Sequence, residues 1–172
     1  LFDFKLKNSS VSNPLTEPSS IVLTEEVAYK FFSDDDPIGK TIIFNNFGPL
    51  KVTGVILKTK QKSHMQFEAL ISSATLLSLE KDKKISATID NWEEYYESYV
   101  YILLDNNVRQ SDLDTALVNI SRLKYKDNEK VNLSFYSTPL SDIVPGPLLA
   151  NEIGMFLPKP FVIFFAGLAI VI

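Results

Sequence analysis

Apolar and polar residues alternate, run together or recur at helical spacing in separate stretches of this chain, and each stretch predicts an element. Phe2, Phe4 and Leu6 share one face of an extended segment, Leu1 to Leu6, whose other face carries Asp3, Lys5 and Lys7, which predicts a strand with one wet side. The Ser, Asn, Thr and Pro of 8–19 predict a loop. Ser20 to Leu23 is a β-type run; Thr24 then stands where an N-cap belongs, with Glu25 and Glu26 in the positive first turn of a helix. Val27, Ala28, Phe31 and Phe32 fall on one face of that helix. It must stop near Ser33, because Pro37 cannot extend it and biases Asp36 away from the α region.

Beyond the turn at Pro37, Ile38, Gly39 and Lys40, two β-type runs follow, 41–44 and 50–57, with Asn45 to Pro49 as the turn of a hairpin. Gly54 lies inside the second run, where a side chain would obstruct a neighbour or the strand bulges. A third extended run covers 65–72, and 73–80 predicts one or two helical turns. Tyr99 to Leu104 is the most β-prone run in the chain, and its continuous apolar residues predict a strand covered on both faces. Ser111 with Asp114 three residues on predicts the start of a helix through about Leu123, with Leu113, Ala116, Leu117, Ile120 and Leu123 as its apolar stripe. Val131 to Tyr136 alternates once more, so that 99–136 reads as one strand, helix, strand unit with Leu113, Leu117 and Ile120 against a sheet. From Phe161 to Ile172 no side chain is polar or charged. At ~1.5 Å per residue that run reaches about 18 Å, short of the roughly 30 Å of a bilayer's hydrocarbon core. The absence of any polar face and the start at Lys159 between two prolines favour the outer end of a transmembrane helix, carried by Phe161, Phe164, Phe165 and Leu168, over a buried terminal helix.

The order of pieces in the first half carries a resemblance. Ser20-Ile-Val-Leu-Thr-Glu, Ala28-Tyr-Lys-Phe-Phe32, Asp36-Pro-Ile-Gly-Lys-Thr41, Val52-Thr-Gly-Val55 and Ser63-His-Met-Gln-Phe-Glu-Ala-Leu-Ile-Ser72, in that succession, resemble the extracytoplasmic core domain of MacB/FtsX-type ABC transporter permeases. The resemblance implies an α+β fold with mixed sheets in two lobes: a strand-rich inserted lobe over 20–90 and the second half of a split βαβ-type lobe over 97–140. It implies that 1–150 is an N-terminally incomplete core domain and that a membrane helix begins at 158–172. It further implies that Pro37, Gly39, Lys40, Gly54, Ser63 and His64 are structural positions. In such a protein a separate cytoplasmic ATPase hydrolyses ATP and a second permease copy completes the membrane part. This domain then faces the periplasm, from a bacterial inner membrane, and meets substrate or an adaptor. An exporter, a lipoprotein-releasing complex and a cell-division regulator all fit that description.

Composition narrows the alternatives. The 172 residues suffice for one core of ordinary size or two small lobes. With 17 basic against 21 acidic residues, net charge −4, the chain does not offer a nucleic-acid surface. It holds no cysteine, which excludes disulfides, thiol chemistry and Cys-ligated metals and leaves the compartment open. His64 is the single histidine, so a His-rich metal site is excluded and any Ser-His-Asp triad would have to use it. Gly39-Lys40-Thr41 imitates the end of a phosphate-binding loop, yet Asp34 stands where its first glycine belongs and a β-type run follows. Asp34, Asp35 and Asp36 lack the alternate ligands, central Gly and closing Glu of a calcium loop and read as a turn. No catalytic, cofactor or metal site is therefore expected, and no enzyme. The second reading is a stand-alone extracytoplasmic binding protein or enzyme with a hydrophobic anchor, which would need a convergent polar pocket.

Overall fold

The computed structural model describes residues 4–44, 47–57, 64–86, 91–93, 98–126, 132–147 and 157–171. The chain divides into two compact units, Leu1–Glu94 and Tyr95–Ile172. The expectations that concern Leu1 to Asp3, the 45–46 turn, Ser63 and Val131 lie outside the described residues.

The first unit is built on a mixed sheet. Its strands are β1 (Leu6–Ser9), β2 (Ser20–Thr24), β3 (Thr41–Phe44), β4 (Gly48–Ile56) and β5 (Ala69–Ile71). β4 is the axis of the sheet. One edge pairs in parallel with β2; the other pairs antiparallel with β3 through Gly48 to Lys51 and with β1 through Gly54 to Ile56. β5 adds antiparallel to the free side of β2. The hairpin expected from 41–44 and 50–57 is present, with Ile42 opposite Leu50 and Phe44 opposite Gly48. The first strand begins later than its alternation implied, at Leu6, although the Lys5 carbonyl already accepts from the Leu57 amide at 2.9 Å. Of the 65–72 run Ala69 to Ile71 is laddered on Ile21 to Leu23, with Thr24 donating to the Glu68 carbonyl and Ser72 to the Ser20 carbonyl at its two ends.

Helix α1 (Glu25–Phe32) follows β2 directly, as the capping pattern required: the Thr24 hydroxyl accepts from the Val27 amide. It ends at Ser33, which takes a φ of 52° and donates to the Tyr29 carbonyl. Ile21, Leu23, Ala28, Leu50, Val52 and Val55 form the buried core, with Val27, Phe32, Ile38, Ile42, Phe47, Ala69 and Ile71 packed around it. Phe31 departs from expectation. It is 60 % exposed, since helical spacing gives a direction around the axis but not how far the sheet extends beneath the last turn. Helix α2 (Ser73–Lys81) closes the unit, a continuous helix where one or two turns were expected.

In the second unit the described residues form α3 (Gln110–Tyr125), a 3-10 turn at Leu140–Asp142 and α4 (Lys159–Val171), while 98–105, before α3, and 132–138, after it, carry no regular secondary structure. Two expected strands are corrected here: neither Tyr99–Leu104 nor the described part of 131–136 forms a strand. Val100 and Leu103 stand 78 % and 77 % exposed. A β-prone run supplies half of each ladder bond, and a strand forms only where a second backbone supplies the other half. The α3 stripe is corrected for the same reason. With no sheet among the described residues of this unit, the helix buries Ser121 and Tyr125 and half-buries Leu113, Asp114, Leu117 and Val118, while Ala116, Ile120 and Leu123 face out. Tyr125 packs its ring on Phe135, centroids 6.1 Å apart.

Candidate functional site

Of the expected structural positions, Pro37, Gly39 and Lys40 act together. The Asp36 carboxylate accepts from the Ile38 amide at 3.0 Å, an Asx turn that starts the bend, and Lys40 donates its amide to the Pro37 carbonyl. Gly39 takes a φ of +81°, which a Cβ would strain. Its amide donates to the Val52 carbonyl, and Val52 donates back to the Lys40 carbonyl, both at 2.8 Å. The turn is thereby stitched onto the middle of β4. The Lys40 ammonium lies 5.1 Å from the Phe32 ring centroid and 2.9 Å from Asp35. Both charges of that pair are partly solvated, so its worth is under about 1 kcal/mol.

Gly54 satisfies both readings of its place in the strand. The β2 and β4 register runs Ile21 to Val52 and then Val22 to Gly54, so Thr53 is an extra residue in β4. That bulge resets the alternation: Leu50, Val52 and Val55 face the core where strict period two would have chosen residue 54. Gly54 itself faces the opposite side. A Cβ there would lie 3.3 Å from Pro14, 3.3 Å from Val22 and 3.4 Å from Leu6.

His64 stands half-buried in the bend before β5. Among the described residues no three His, Asp or Glu side chains gather closely enough to hold a metal ion, and Asp34 to Asp36 belong to the turn above. Among the described residues two titrations are displaced, neither at a reactive centre. Hydrogen bonds from the Arg109 side chain and amide hold the exposed Asp112 carboxyl below its ordinary range, and burial, with Tyr99 adding, pushes the Tyr101 phenol up.

Three polar anchors went unnoticed in the sequence. Ser72, 1 % exposed, caps α2 and donates to the Glu17 carbonyl at 2.7 Å, while Thr75 beside it accepts from the Ser19 amide at 2.9 Å. Thr53 donates to the Pro14 carbonyl at 2.6 Å, and its own carbonyl accepts from the Ser10 amide. Together they pin the 10–19 loop across the sheet. The spacing of Ser72 and Thr75 ahead of an apolar stretch was a legible capping signal; nothing local marked the loop as their partner. In the second unit the helix start is also corrected. Arg109 is the N-cap, with Asp112 reaching back to its amide at 3.2 Å. Asp114, expected in that capping role, instead accepts from the Ser137 amide at 2.6 Å and hydroxyl at 2.7 Å, which ties 132–137 to α3.

The membrane positions fall on α4. Its large side chains are solvent-facing, among them Phe161, Phe164, Phe165 and Leu168, with Ile170 86 % exposed. No helix among the described residues is long and apolar enough to cross a membrane.

Comparison with known proteins places this arrangement. A family model described as the MacB-like periplasmic core domain matches residues 2–120, which include the turn, the bulge and the whole mixed sheet. The periplasmic region of MacB from Actinobacillus actinomycetemcomitans is similar in structure at 19 % identity, over 72 % of this chain and 50 % of that one, with a TM-score of 0.47. A domain of a putative permease protein from Porphyromonas gingivalis is similar at 16 % identity, over 74 % of this chain and 55 % of that one, with a TM-score of 0.48. The chain thus spans about half the length of the solved structures it matches. No curated protein matches it. With well over half of its residues under the family model, the chain belongs to the MacB-like periplasmic core domains of the ABC transporter permease family.

Proposed function

We propose that this domain is a non-catalytic, extracytoplasmic part of a permease subunit, and that it turns ATP hydrolysis by a separate cytoplasmic ATPase into movement outside the membrane. The observation that carries the reading is a juxtaposition along the chain. A family-matched core over 2–120 is followed by a 13-residue helix, Lys159–Val171, whose described aromatic and large aliphatic side chains are exposed. A water-soluble helix shields such a face or breaks it with polar residues. α4 is read as the outer end of a membrane helix: its ~20 Å covers part of the roughly 30 Å hydrocarbon core, and Lys159 sits where a cation reaches the interface. On this reading 1–150 is the periplasmic core, with 20–90 as the strand-rich lobe and 97–140 as half of the second. A second permease copy and an adaptor or substrate are its partners, and the domain faces the periplasm from the inner membrane.

Flotation with phospholipid vesicles tests the reading. The chain is expected to rise with the vesicles, and a version ending at Leu157 is expected to stay in the dense fraction. Equal behaviour of the two would refute it. The non-catalytic part is tested separately with the purified chain. No turnover of ATP or of a generic ester is expected, and turnover abolished by His64→Ala would overturn this part.

A further inference from the structure

The residues that hold the start of α4 lie outside 2–120, so the family match assigns them nothing. Every backbone donor of the helix's first turn has a definite fate. Phe161 and Val162 donate to the Pro158 carbonyl at 3.1 and 3.4 Å, and Pro160 has no N–H. Lys159 donates to Gly146, 2.9 Å away and distant in the chain. Gly146 in turn donates its own amide to the Leu157 carbonyl at 3.1 Å, so both of its backbone groups grip the residues flanking Pro158 as a short parallel bridge. Gly146 is buried. A Cβ there would clash with the Ile143 carbonyl oxygen and lie 3.0 Å from the Asp142 carbonyl oxygen, so the loop closes on a residue with no side chain.

This grip is not needed to make α4 a helix. The first four N–H groups of any helix lack internal partners and water satisfies them readily. What the Lys159 to Gly146 bond adds is a fixed relation between the helix start and the 139–147 segment. We infer that Gly146 is a positioning residue for coupling: its two-bond clamp makes the start of α4 and the 139–147 segment move as one, so that displacement of α4 is delivered to that segment. The inference rests on the membrane reading of α4, since only a helix driven from outside the domain has movement to deliver.

The absence of native cysteines makes the test direct. Spin labels at Ser141→Cys and Ala166→Cys, in the full chain bound to phospholipid vesicles, report the distance between segment and helix. A single narrow distribution is expected. Lys159→Pro removes the donated N–H at a first-turn position where proline is tolerated, and should replace that distribution with a broad one while helical circular dichroism is retained. Lys159→Ala, which keeps the N–H, should leave it narrow. Gly146→Ala is expected to broaden it as well. A narrow distribution in Lys159→Pro, or a broad one in the parent, would overturn the clamp. Failure of the chain to float while the distribution in solution stays narrow would instead remove the membrane reading and leave the clamp standing.

Discussion

At the scale of single residues, two glycines of the first unit do different work, and substitution separates them. Gly54 is a matter of space: a Cβ meets Pro14, Val22 and Leu6 at 3.3 to 3.4 Å, and the two further methyls of Gly54→Val have nowhere to go without moving the 10–19 loop. A loss on the order of 1–3 kcal/mol is expected, read as a lower denaturant midpoint with an unchanged slope. Gly39 is a matter of backbone: it has open space at its Cβ position and a φ of +81°. Gly39→Ala should cost about 1 kcal/mol, and Gly39→Asn less, because asparagine tolerates the left-handed region. Equal penalties for alanine and asparagine would refute the conformational account. Both glycines were legible as special in the sequence. Which of them was crowded and which merely bent was not, since crowding comes from Pro14 and Leu6, far along the chain.

At the scale of elements, α3 shows how a helix and its face are separate questions. The Asp112 carboxyl accepts from the Arg109 side chain and amide and titrates below its ordinary value of 3.8. A group whose folded value is depressed contributes stability that is present above the unfolded value and lost as pH falls through the folded one. The first turn of α3 should therefore persist from neutral pH down past 3.8 and fray only below. The Arg109 amide resonance, followed by NMR through an acid titration, checks this, and Asp112→Asn should flatten the curve. Farther along, the Asp114 bonds to Ser137 hold the 132–137 segment on the helix. Loss of the carboxylate in Asp114→Ala strands the Ser137 amide and should destabilise the second unit by about 1–3 kcal/mol. In a double-mutant cycle the added loss from Ser137→Ala should be smaller than the same change made alone. Additive losses would mean the two do not interact. The existence of α3 followed from its periodicity and nearly all of its length with it. Its buried face did not, because a stripe records what a helix offers and the neighbouring element decides what is taken.

At the scale of the whole molecule, the exposed α4 makes a prediction about where stability resides. The core of the first unit is Ile21, Leu23, Ala28, Leu50, Val52 and Val55, and nothing of α4 belongs to it. A chain ending at Leu157 should melt within a few degrees of the parent, where losing a packed helix with several large side chains would cost roughly 1.5–3 kcal/mol for each of them. A truncated chain that no longer folds would make α4 core and leave the membrane reading without its structural support.

The local codes of this chain determined by themselves what depends on neighbours a few residues apart. These were the Thr24 cap, the two-turn α1 that Pro37 forbids to continue, the hairpin around β3 and β4, the turn at Gly39, and the apolar tail without a wet face. The succession of those pieces also sufficed to point to the family that the chain belongs to. Tertiary structure alone decided whatever needed a distant partner. The bulge at Thr53 that turns Val55 inward, the serine and threonine anchors under the 10–19 loop, the exposure of Ala116, Ile120 and Leu123 on α3 and the Gly146 grip on α4 are of this kind. So is the fate of Tyr99–Leu104, whose composition asks for a strand. A side chain's preference is written in one residue, but a ladder bond or a packed face is shared between two segments, and the chain between them carries no mark of the pairing.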